Sequence, residues 1–190
     1  MPSSRTSTIS ARDWGLAAAA GSLLLDQASK LLLLFGYGFR VPEHFCQLKP
    51  PPLLESVPVL PFFNLSMVPN CGISYGLFPM HGSLGVAVLV VAALLAVIGL
   101  GYWLWNTPNR ILAVGLGLII GGAIGNNLVD RPIYGWVADF FDFHWSHYHW
   151  YVFNVADAAI TFGVIALVYD ALIGTSGPIA GTDRNRQVRE

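Results

Sequence analysis

Four long apolar runs alternate along this chain with two loops rich in polar and aromatic residues. The runs cover residues 14–35, 84–105, 111–129 and 153–173. Because a helix needs about 20 apolar residues to cross a bilayer, each run predicts a membrane span. The first run resumes after Lys30 as LLLLF, so it is a span and not the short apolar core of a signal peptide. The pattern predicts a membrane all-α fold, a bundle of four transmembrane helices.

The two loops carry different signals. Residues 36–83 contain eight of the twelve prolines, so one long helix is excluded there. The runs VPVL, FFNLSMV and ISYGLF are typical of strands, and PNCG predicts a turn between the last two. Since such backbone cannot face lipid unsatisfied, we expect a small β-sheet on the outer surface of the bundle. Residues 130–152 are dense in aromatics and predict a segment lying in the membrane interface.

The basic residues predict the orientation of the bundle. With four spans both termini lie on one side, and six arginines fall on that side against four basic residues on the other. This excess favours a cytoplasmic position for both termini. We expect cytoplasmic tails at 1–13 and 174–190 and one membrane domain over 14–173. Both long loops then share the outer side, where a site would be assembled.

Composition excludes several classes of protein. With 54% apolar and 11% charged residues, this is an integral membrane protein. A net charge of -1 gives no basic excess for a nucleic-acid partner. Cys46 and Cys71 could form a disulfide on an oxidising side, but without metal-ligand spacing they are expected to be free. His144, His147 and His149 do not form a zinc pattern, so we expect no metal and no cofactor.

Polar groups within the apolar runs are candidates for function, because lipid makes them costly. Asp26 and Lys30 are four residues apart. They could neutralise each other as an intrahelical ion pair, or they could face a polar cavity near the outer end and contact a substrate. Gly117, Gly121 and Gly125 recur every four residues and predict close approach of a neighbouring helix, so we assign them to packing.

Two further aspartates, Asp139 among VADFF and Asp157 after FNVA, predict a hydrolytic pair. Their separation of eighteen positions suits a loop that returns to the same membrane depth. Two carboxylates about 4 Å apart repel by roughly 4 kcal/mol at an effective dielectric near 20, enough to raise one pKa by about three. The ionised acid would take a proton from water while the protonated acid donates to the scissile carbonyl, without metal or covalent intermediate.

Five ordered blocks of the sequence resemble the lipoprotein signal peptidase family, also called signal peptidase II: DQASK, NCGISYG, GGAIGNNLVDR, YGWVADFFDF and FNVADAAI. The resemblance implies an aspartic endopeptidase of the bacterial inner membrane, with its active site toward the periplasm. Its substrates would be diacylglyceryl-modified prolipoproteins, cut just before the lipidated cysteine to release the signal peptide. Membrane lipid is the other expected partner, and we expect a monomer.

The same resemblance implies roles for single residues. The catalytic pair falls on Asp139 and Asp157. Of the adjacent asparagines Asn126 and Asn127, the resemblance and the three-residue spacing to Asp130 favour Asn127, although the Gly-Asn dipeptide of this block is Gly125-Asn126. Substrate-binding or supporting roles fall on the other polar residues of these blocks: Asn127, Asp130, Arg131, Asn154, Asn70, Gly72, Asp26 and Lys30.

Two other functions are open from the residues alone. A proton-coupled membrane transporter would also place acids in helices, but four spans without an inverted repeat make a poor carrier unless they oligomerise. A structural membrane subunit would explain the packing glycines and the aromatics. It gives no reason for the blocks around Asp139 and Asp157.

Overall fold

The structure is a computed structural model, and it describes residues 9–43, 45–48, 54–72 and 83–173. Within these residues four helices are long and apolar enough to cross a membrane, which confirms the predicted four-helix fold. The predicted strand ISYGLF, most of the predicted tail 1–13 and all of the predicted tail 174–190 lie outside the described residues, and the domain boundaries stay a prediction.

The helices begin and end close to the apolar runs. Helix α1 (Ala11–Leu31) continues as a π-helical turn, and α2 covers Ser83–Asn106. Helix α3 (Arg110–Ala123) continues as a π-helical segment and then as the single turn α4. The remaining segments have these bounds: the π-helical turn after α1 is Leu32–Gly36, the π-helical segment after α3 is Ile124–Asp130, α4 is Arg131–Tyr134, and the last helix, α5, is Val155–Ile173.

Helix α3 packs between α1 and α5 through its glycines. A Cβ at Gly117 would collide with the backbone of Gly15 in α1, and a Cβ at Gly121 would collide with α1 one turn further along. A Cβ at Gly122 would lie 2.6 Å from the carbonyl oxygen of Ala156 at the start of α5. The prediction that glycines bring a neighbouring helix close is therefore confirmed, and these contacts hold α1 and α5 against α3.

Four antiparallel strands form one sheet in the order β1-β2-β3-β4. Strands β1 (Ser56–Leu60) and β2 (Phe63–Asn70) come from the first loop, and β3 (Val137–Trp145) and β4 (Tyr148–His149) from the second. The interpretation of residues 130–152 as only an interfacial segment was incomplete. Their backbone groups pair with β2 and β4, which the sequence of one segment alone does not reveal.

Strand pairing also corrects the predicted turn at PNCG. Pro69 and Asn70 complete β2 and lie opposite Ala138 and Val137 of β3. Proline is tolerated at this position because β1 pairs with β2 as far as Ser66 in the described residues, so β2 is an edge strand at Pro69. The turn prediction was wrong for these two residues because turn-forming types are also used at strand ends.

The buried cluster on one face of the sheet shows which way the side chains of β3 point. Ala138 and Phe140 are buried in a cluster with Leu33, Phe39, Met67 and Trp136. Successive side chains of a strand point to opposite faces, so Asp139 points away from this cluster. Val68 lies directly opposite Asp139 and Asn70 lies two residues further along β2, so Asn70 shares the face of Asp139.

Cys46 and Cys71 form a disulfide, which corrects the expectation that they are free. Their Cα atoms are 5.6 Å apart although 25 residues separate them. A 3-10 turn, Phe45–Gln47, carries Cys46 against the sheet core, where Cys71 also packs. Spacing along the sequence held no information about this approach.

Candidate active site

Asn154 connects the two aspartates that the sequence predicts as a pair. It immediately precedes α5, and its backbone N–H donates to Asp157 Oδ2 at 3.1 Å. Its side-chain Nδ2 donates to Asp139 Oδ1 at 2.7 Å. In return the N–H of Asp157 donates to Asn154 Oδ1 at 2.9 Å, as in a helix N-cap. One asparagine thus holds an acid from β3 and an acid from the first turn of α5.

Asp139 is almost fully enclosed, with 2% of its surface exposed. Its second oxygen, Oδ2, accepts a hydrogen bond from Asn70 Nδ2 at 3.1 Å. Burial, followed by the negative charge of Asp157, raises the pKa of Asp139 well above its usual value. The hydrogen bonds from Asn70 and Asn154 act in the opposite direction and do not cancel the effect of burial. Asp139 is therefore suited to hold a proton at a pH where an exposed aspartate is ionised.

Asp157 is held by a second asparagine, Asn126, whose Nδ2 donates to Asp157 Oδ1 at 2.9 Å. The Oδ1 atom of Asn126 accepts from Lys30 Nζ at 2.7 Å and from Asn154 Nδ2 at 3.1 Å. Because both neighbours of Oδ1 are donors, the amide has only one orientation that satisfies it. Lys30 therefore fixes the amide orientation in which Nδ2 of Asn126, and not Oδ1, faces Asp157.

Asn126, rather than the favoured Asn127, contacts the aspartate pair. Asn127 instead accepts from Arg131 Nε at 3.0 Å and donates to the carbonyl of Ala123. The difference arises because residues 124–130 are π-helical, so the residues that share a face differ from those of an α-helix. The Gly-Asn dipeptide of the third run was the sequence signal for Asn126.

Lys30 is the centre of a buried ionic cluster behind the pair. Its Nζ lies 2.7 Å from Asp26 Oδ2 and 2.7 Å from Asp130 Oδ2. The predicted intrahelical pair of Asp26 and Lys30 is confirmed, and the same lysine also reaches the site through Asn126. Gln27, which sequence reasoning missed, donates to Asp130 Oδ1 at 3.0 Å. Its position beside Asp26 was the only available signal.

Asp26 extends the cluster to the start of α5. Its Oδ1 accepts from the N–H of Ala156 at 3.0 Å, one residue before Asp157. An acid at a helix N-terminus satisfies a backbone donor and complements the helix dipole. Gly125 has no side chain where a Cβ would lie 2.6 Å from Asp26 Oδ2, so that glycine makes room for the acid.

Arg131 holds the loop at the end of β2. Its Nη2 donates to the carbonyl oxygen of Gly72, and the N–H of Gly72 donates to Asn70 Oδ1 at 3.1 Å. This chain of contacts leads from α4 through Gly72 and Asn70 to Asp139. Asp130 and Arg131 are adjacent in sequence but have different partners, Lys30 for the acid and the Gly72 carbonyl for the arginine.

A cavity of about 430 Å³ opens beside Asp157 and Asn70. Its remaining walls are predominantly apolar or aromatic and come from the segment before α5 and from α5 itself: Trp150, Tyr151, Phe153, Ala158, Ile160, Thr161 and Phe162. An acid beside an apolar cavity suits a substrate that brings both a polar bond and apolar groups.

The histidines lie at the far end of the sheet. His149 Nδ1 lies 2.8 Å from Asp142 Oδ1, and its ring stacks on His144 with centroids 5.2 Å apart. Among the described residues, no group of three or more His, Cys, Asp or Glu side chains is arranged to hold a metal ion. The aspartate pair with its asparagines can transfer protons to and from a bound substrate using protein groups alone.

Comparison with known proteins identifies relatives over most of the chain. The family model for signal peptidase (SPase) II matches residues 18–173. The lipoprotein signal peptidase of Methylorubrum extorquens is 46% identical over 158 residues, covering 83% of this chain and 85% of that protein. The one from Rhodopseudomonas palustris is 44% identical over 164 residues, covering 84% and 92%. A solved structure described as a bacterial membrane enzyme, at 2.3 Å resolution, has a TM-score of 0.68 and 24% identity, covering 92% of this chain and 94% of that one.

Proposed function

Since the chain belongs to the signal peptidase II family, we propose that it is an aspartic endopeptidase that removes the signal peptide from diacylglyceryl-modified prolipoproteins. The cut falls just before the lipidated cysteine. The observation that carries the proposal is the position of Asn154, which donates hydrogen bonds to both Asp139 and Asp157. Two acids that are distant along the chain thereby belong to one site.

The environments of the two acids support different roles. Asp139 holds the proton, because burial and the charge of Asp157 raise its pKa. Asp157 lies in the first turn of α5, where the helix dipole favours a negative charge, and it accepts from Asn126 and from the N–H of Asn154. Asp157 is therefore the general base, and Asp139 is the general acid.

The reaction proceeds through a tetrahedral diol. Asp157 takes a proton from water as the oxygen attacks the scissile carbonyl carbon, while Asp139 gives its proton to the carbonyl oxygen. The C–N bond then breaks as Asp157 returns its proton to the leaving amine. The diol gives a proton back to Asp139, and the pair regains its singly protonated state. The products are a signal peptide with a free carboxyl group and a chain that begins with the lipidated cysteine.

The lining of the cavity beside Asp157 supports the proposal that the substrate carries a lipid. Asn70 and Asp157 form its polar side, while aromatic residues before α5 and apolar residues of α5 form the rest. Helix α5 also exposes large apolar side chains, including Phe162, Ile165 and Leu172. A substrate anchored in the bilayer could therefore approach the acids along α5 without leaving an apolar environment.

The disulfide supports the predicted orientation. Disulfides persist in oxidising compartments, and the bacterial periplasm is one of them. Cys46 and Cys71 lie in the loop between the first two spans, so their bond supports a periplasmic position for this loop, the sheet and the aspartate pair. With four spans, both termini are then cytoplasmic. This agrees with the distribution of arginines.

The direct test substitutes each acid. We expect Asp139→Asn and Asp157→Asn to lower turnover of a diacylglyceryl-modified precursor by at least about a thousandfold in nanodiscs, because each removes one proton-transfer group. Asp142→Asn is the matched control, since it alters an acid three residues along the same strand whose partners are Ser66 and His149. It should stay within about threefold of the wild type.

Two outcomes would contradict the proposal. Retained turnover in either purified, folded asparagine variant would remove the aspartate pair from the mechanism. Proton-dependent solute flux in liposomes, together with an intact precursor, would instead favour the transporter that the sequence left open.

A further inference from the structure

The end of β2 carries three contacts of the active site within three residues. Asn70 donates to Asp139, Gly72 donates to Asn70, and Arg131 donates to the carbonyl of Gly72. The residue between Asn70 and Gly72 is Cys71, which is bonded to Cys46. The disulfide is therefore adjacent in sequence to both residues that connect Arg131 to the general acid.

The partner cysteine is anchored on the sheet core. Cys46 lies in the 3-10 turn Phe45–Gln47 and packs, with Cys71, against the buried cluster that includes Phe39 and Trp136. Strand β2 ends at Asn70, so Cys71 and Gly72 lie beyond the last strand pair. The covalent bond thus fixes the chain where pairing with β3 no longer does.

We propose that the Cys46–Cys71 disulfide is a positioning element for catalysis: it holds Asn70 and Gly72 against Asp139 and Arg131, and the enzyme reaches full activity only when the bond is formed. The inference rests on the proposed function of Asp139. The bond forms by exchange with a disulfide oxidant of the outer compartment, which takes up the two electrons and two protons of the thiols. Activity is thereby linked to arrival of the loop in an oxidising compartment.

The physical reason is the fraction of molecules in which the end of β2 holds Asn70 against Asp139. A disulfide limits the conformations available to the segment it closes. Without it, Cys71 and Gly72 lie beyond the last strand pair and are held through the hydrogen bonds of Gly72 to Arg131 and Asn70, so the fraction of molecules with the Asn70 side chain on Asp139 falls. A rate that depends on one conformation falls in proportion to that fraction. We expect kcat to fall by about tenfold, with a smaller change in KM.

The first experiment uses the folded wild-type enzyme in nanodiscs. Treatment with dithiothreitol should lower kcat by about tenfold, and reoxidation should restore it, which shows that the fold survived. The Cys46→Ala/Cys71→Ala double variant is the matched control. It should have the low kcat from the start and should not respond to dithiothreitol. The proposal would be overturned if kcat of the wild-type enzyme stayed unchanged although a thiol assay showed that both cysteines were reduced.

The second experiment asks whether the disulfide acts through Asn70. In an Asn70→Ala background, removing the disulfide should change kcat by less than about twofold, because the contact that it positions is already absent. A full tenfold loss in that background would overturn the proposal in favour of general stabilisation.

The pH profile separates positioning from simple loss of stability. Asp139 is surrounded by the charges of Asp157, Lys30 and Arg131, and these are unchanged when the disulfide is removed. Loss of the Asn70 hydrogen bond raises the pKa of Asp139, so the alkaline limb of the kcat profile should move to higher pH. An unmoved limb would overturn the proposal. Failure of the proposed function is distinguishable, since it would appear as turnover by Asp139→Asn whatever the state of the cysteines.

Discussion

Two aspartates of β3, Asp139 and Asp142, lie three residues apart but have surroundings that shift their pKa values in opposite directions. Both are nearly buried, with 2% and 4% of their surfaces exposed. Burial and the charge of Asp157 raise the pKa of Asp139. Burial alone would also raise the pKa of Asp142, but hydrogen bonds from His149 and Ser66 outweigh it and hold that pKa below its usual value.

The difference teaches that neighbours, and not burial alone, assign the protonation state. The three-residue spacing directs the two side chains to opposite faces of the sheet. On one face Asp139 meets a second acid and the ends of the helices. On the other face Asp142 connects β2 to β4 through Ser66 Oγ at 2.9 Å and His149 at 2.8 Å. One end of the sheet is suited to proton transfer and the other to holding strands together.

The largest difference in activity is expected between two variants that each lose one hydrogen-bond donor to an aspartate of β3, one at each end of the sheet. Asn154→Ala should lower kcat/KM by about a thousandfold, roughly 4 kcal/mol, because it removes the amide donor to Asp139 and the acceptor for the backbone N–H of Asp157. Ser66→Ala removes a donor to Asp142 and should stay within about threefold. The measurement is cleavage of a diacylglyceryl-modified precursor by both purified variants. Similar losses in the two variants would break the distinction between the ends.

The side chains that contact the buried acids on the two sides, Lys30 and His149, should differ nearly as much. Lys30→Met leaves Asp26 and Asp130 buried without their common partner, which should destabilise the protein by about 3–5 kcal/mol. It also frees the Asn126 amide to turn away from Asp157, so kcat should fall by about a hundredfold in molecules that remain folded. His149→Gln alters a side chain that is 53% exposed and should change neither quantity appreciably. Apparent Tm and kcat of each variant in nanodiscs are the readouts, and a Lys30→Met enzyme with wild-type kcat would contradict the orienting role.

A smaller effect is expected from Asn70, and its sign is diagnostic. Asn70→Ala removes a hydrogen bond that favours the ionised form of Asp139, so the pKa of Asp139 rises further. Activity requires the shared proton, and the alkaline limb of the pH–kcat profile should therefore move to higher pH, with kcat lowered by about tenfold. Ser66→Ala should leave that limb in place. Movement to lower pH would show that Asn70 does not favour the ionised acid.

The smallest expected effect is a pair of opposite shifts in stability. Because the folded state raises the pKa of Asp139, that group stabilises the fold below its usual value of 3.8, and the stabilisation is lost as pH rises through the raised pKa. Asp139→Asn should therefore raise the apparent Tm at pH 7 by a few degrees, about 2–4 °C for each kcal/mol. Asp142 has a lowered pKa, so its stabilisation is present above 3.8 and lost as pH falls through the lowered value.

Asp142→Asn should accordingly lower the apparent Tm at pH 7, and the difference from wild type should shrink as the pH falls below 3.8. Thermal unfolding of both variants across pH is the measurement. If both variants lowered the apparent Tm at pH 7, the two acids would not differ in the way that their pKa shifts indicate.

The sequence by itself determined the membrane bundle and the residues from which the site is built. Runs of about 20 apolar residues specify spans whatever their neighbours are, so α1, α2, α3 and α5 could be predicted from composition along the chain. The spacing of Asp26 and Lys30 predicted their ion pair as one of two possibilities, because residues four apart meet on any α-helix. The aspartates were recognisable as expensive groups at membrane depth and from the family resemblance, and their catalytic roles stay a prediction.

Only the tertiary structure decided how these residues meet. The pairing of β3 with β2, which directs Asp139 toward α5, depends on a strand about seventy residues away. The choice of Asn126 over Asn127 follows from a change to π-helical backbone, and the approach of Cys46 to Cys71 follows from packing on the sheet core. The physical reason is common to all three: local sequence sets hydropathy and helical spacing, whereas contacts between distant segments depend on how the whole chain buries its apolar surface and satisfies its backbone.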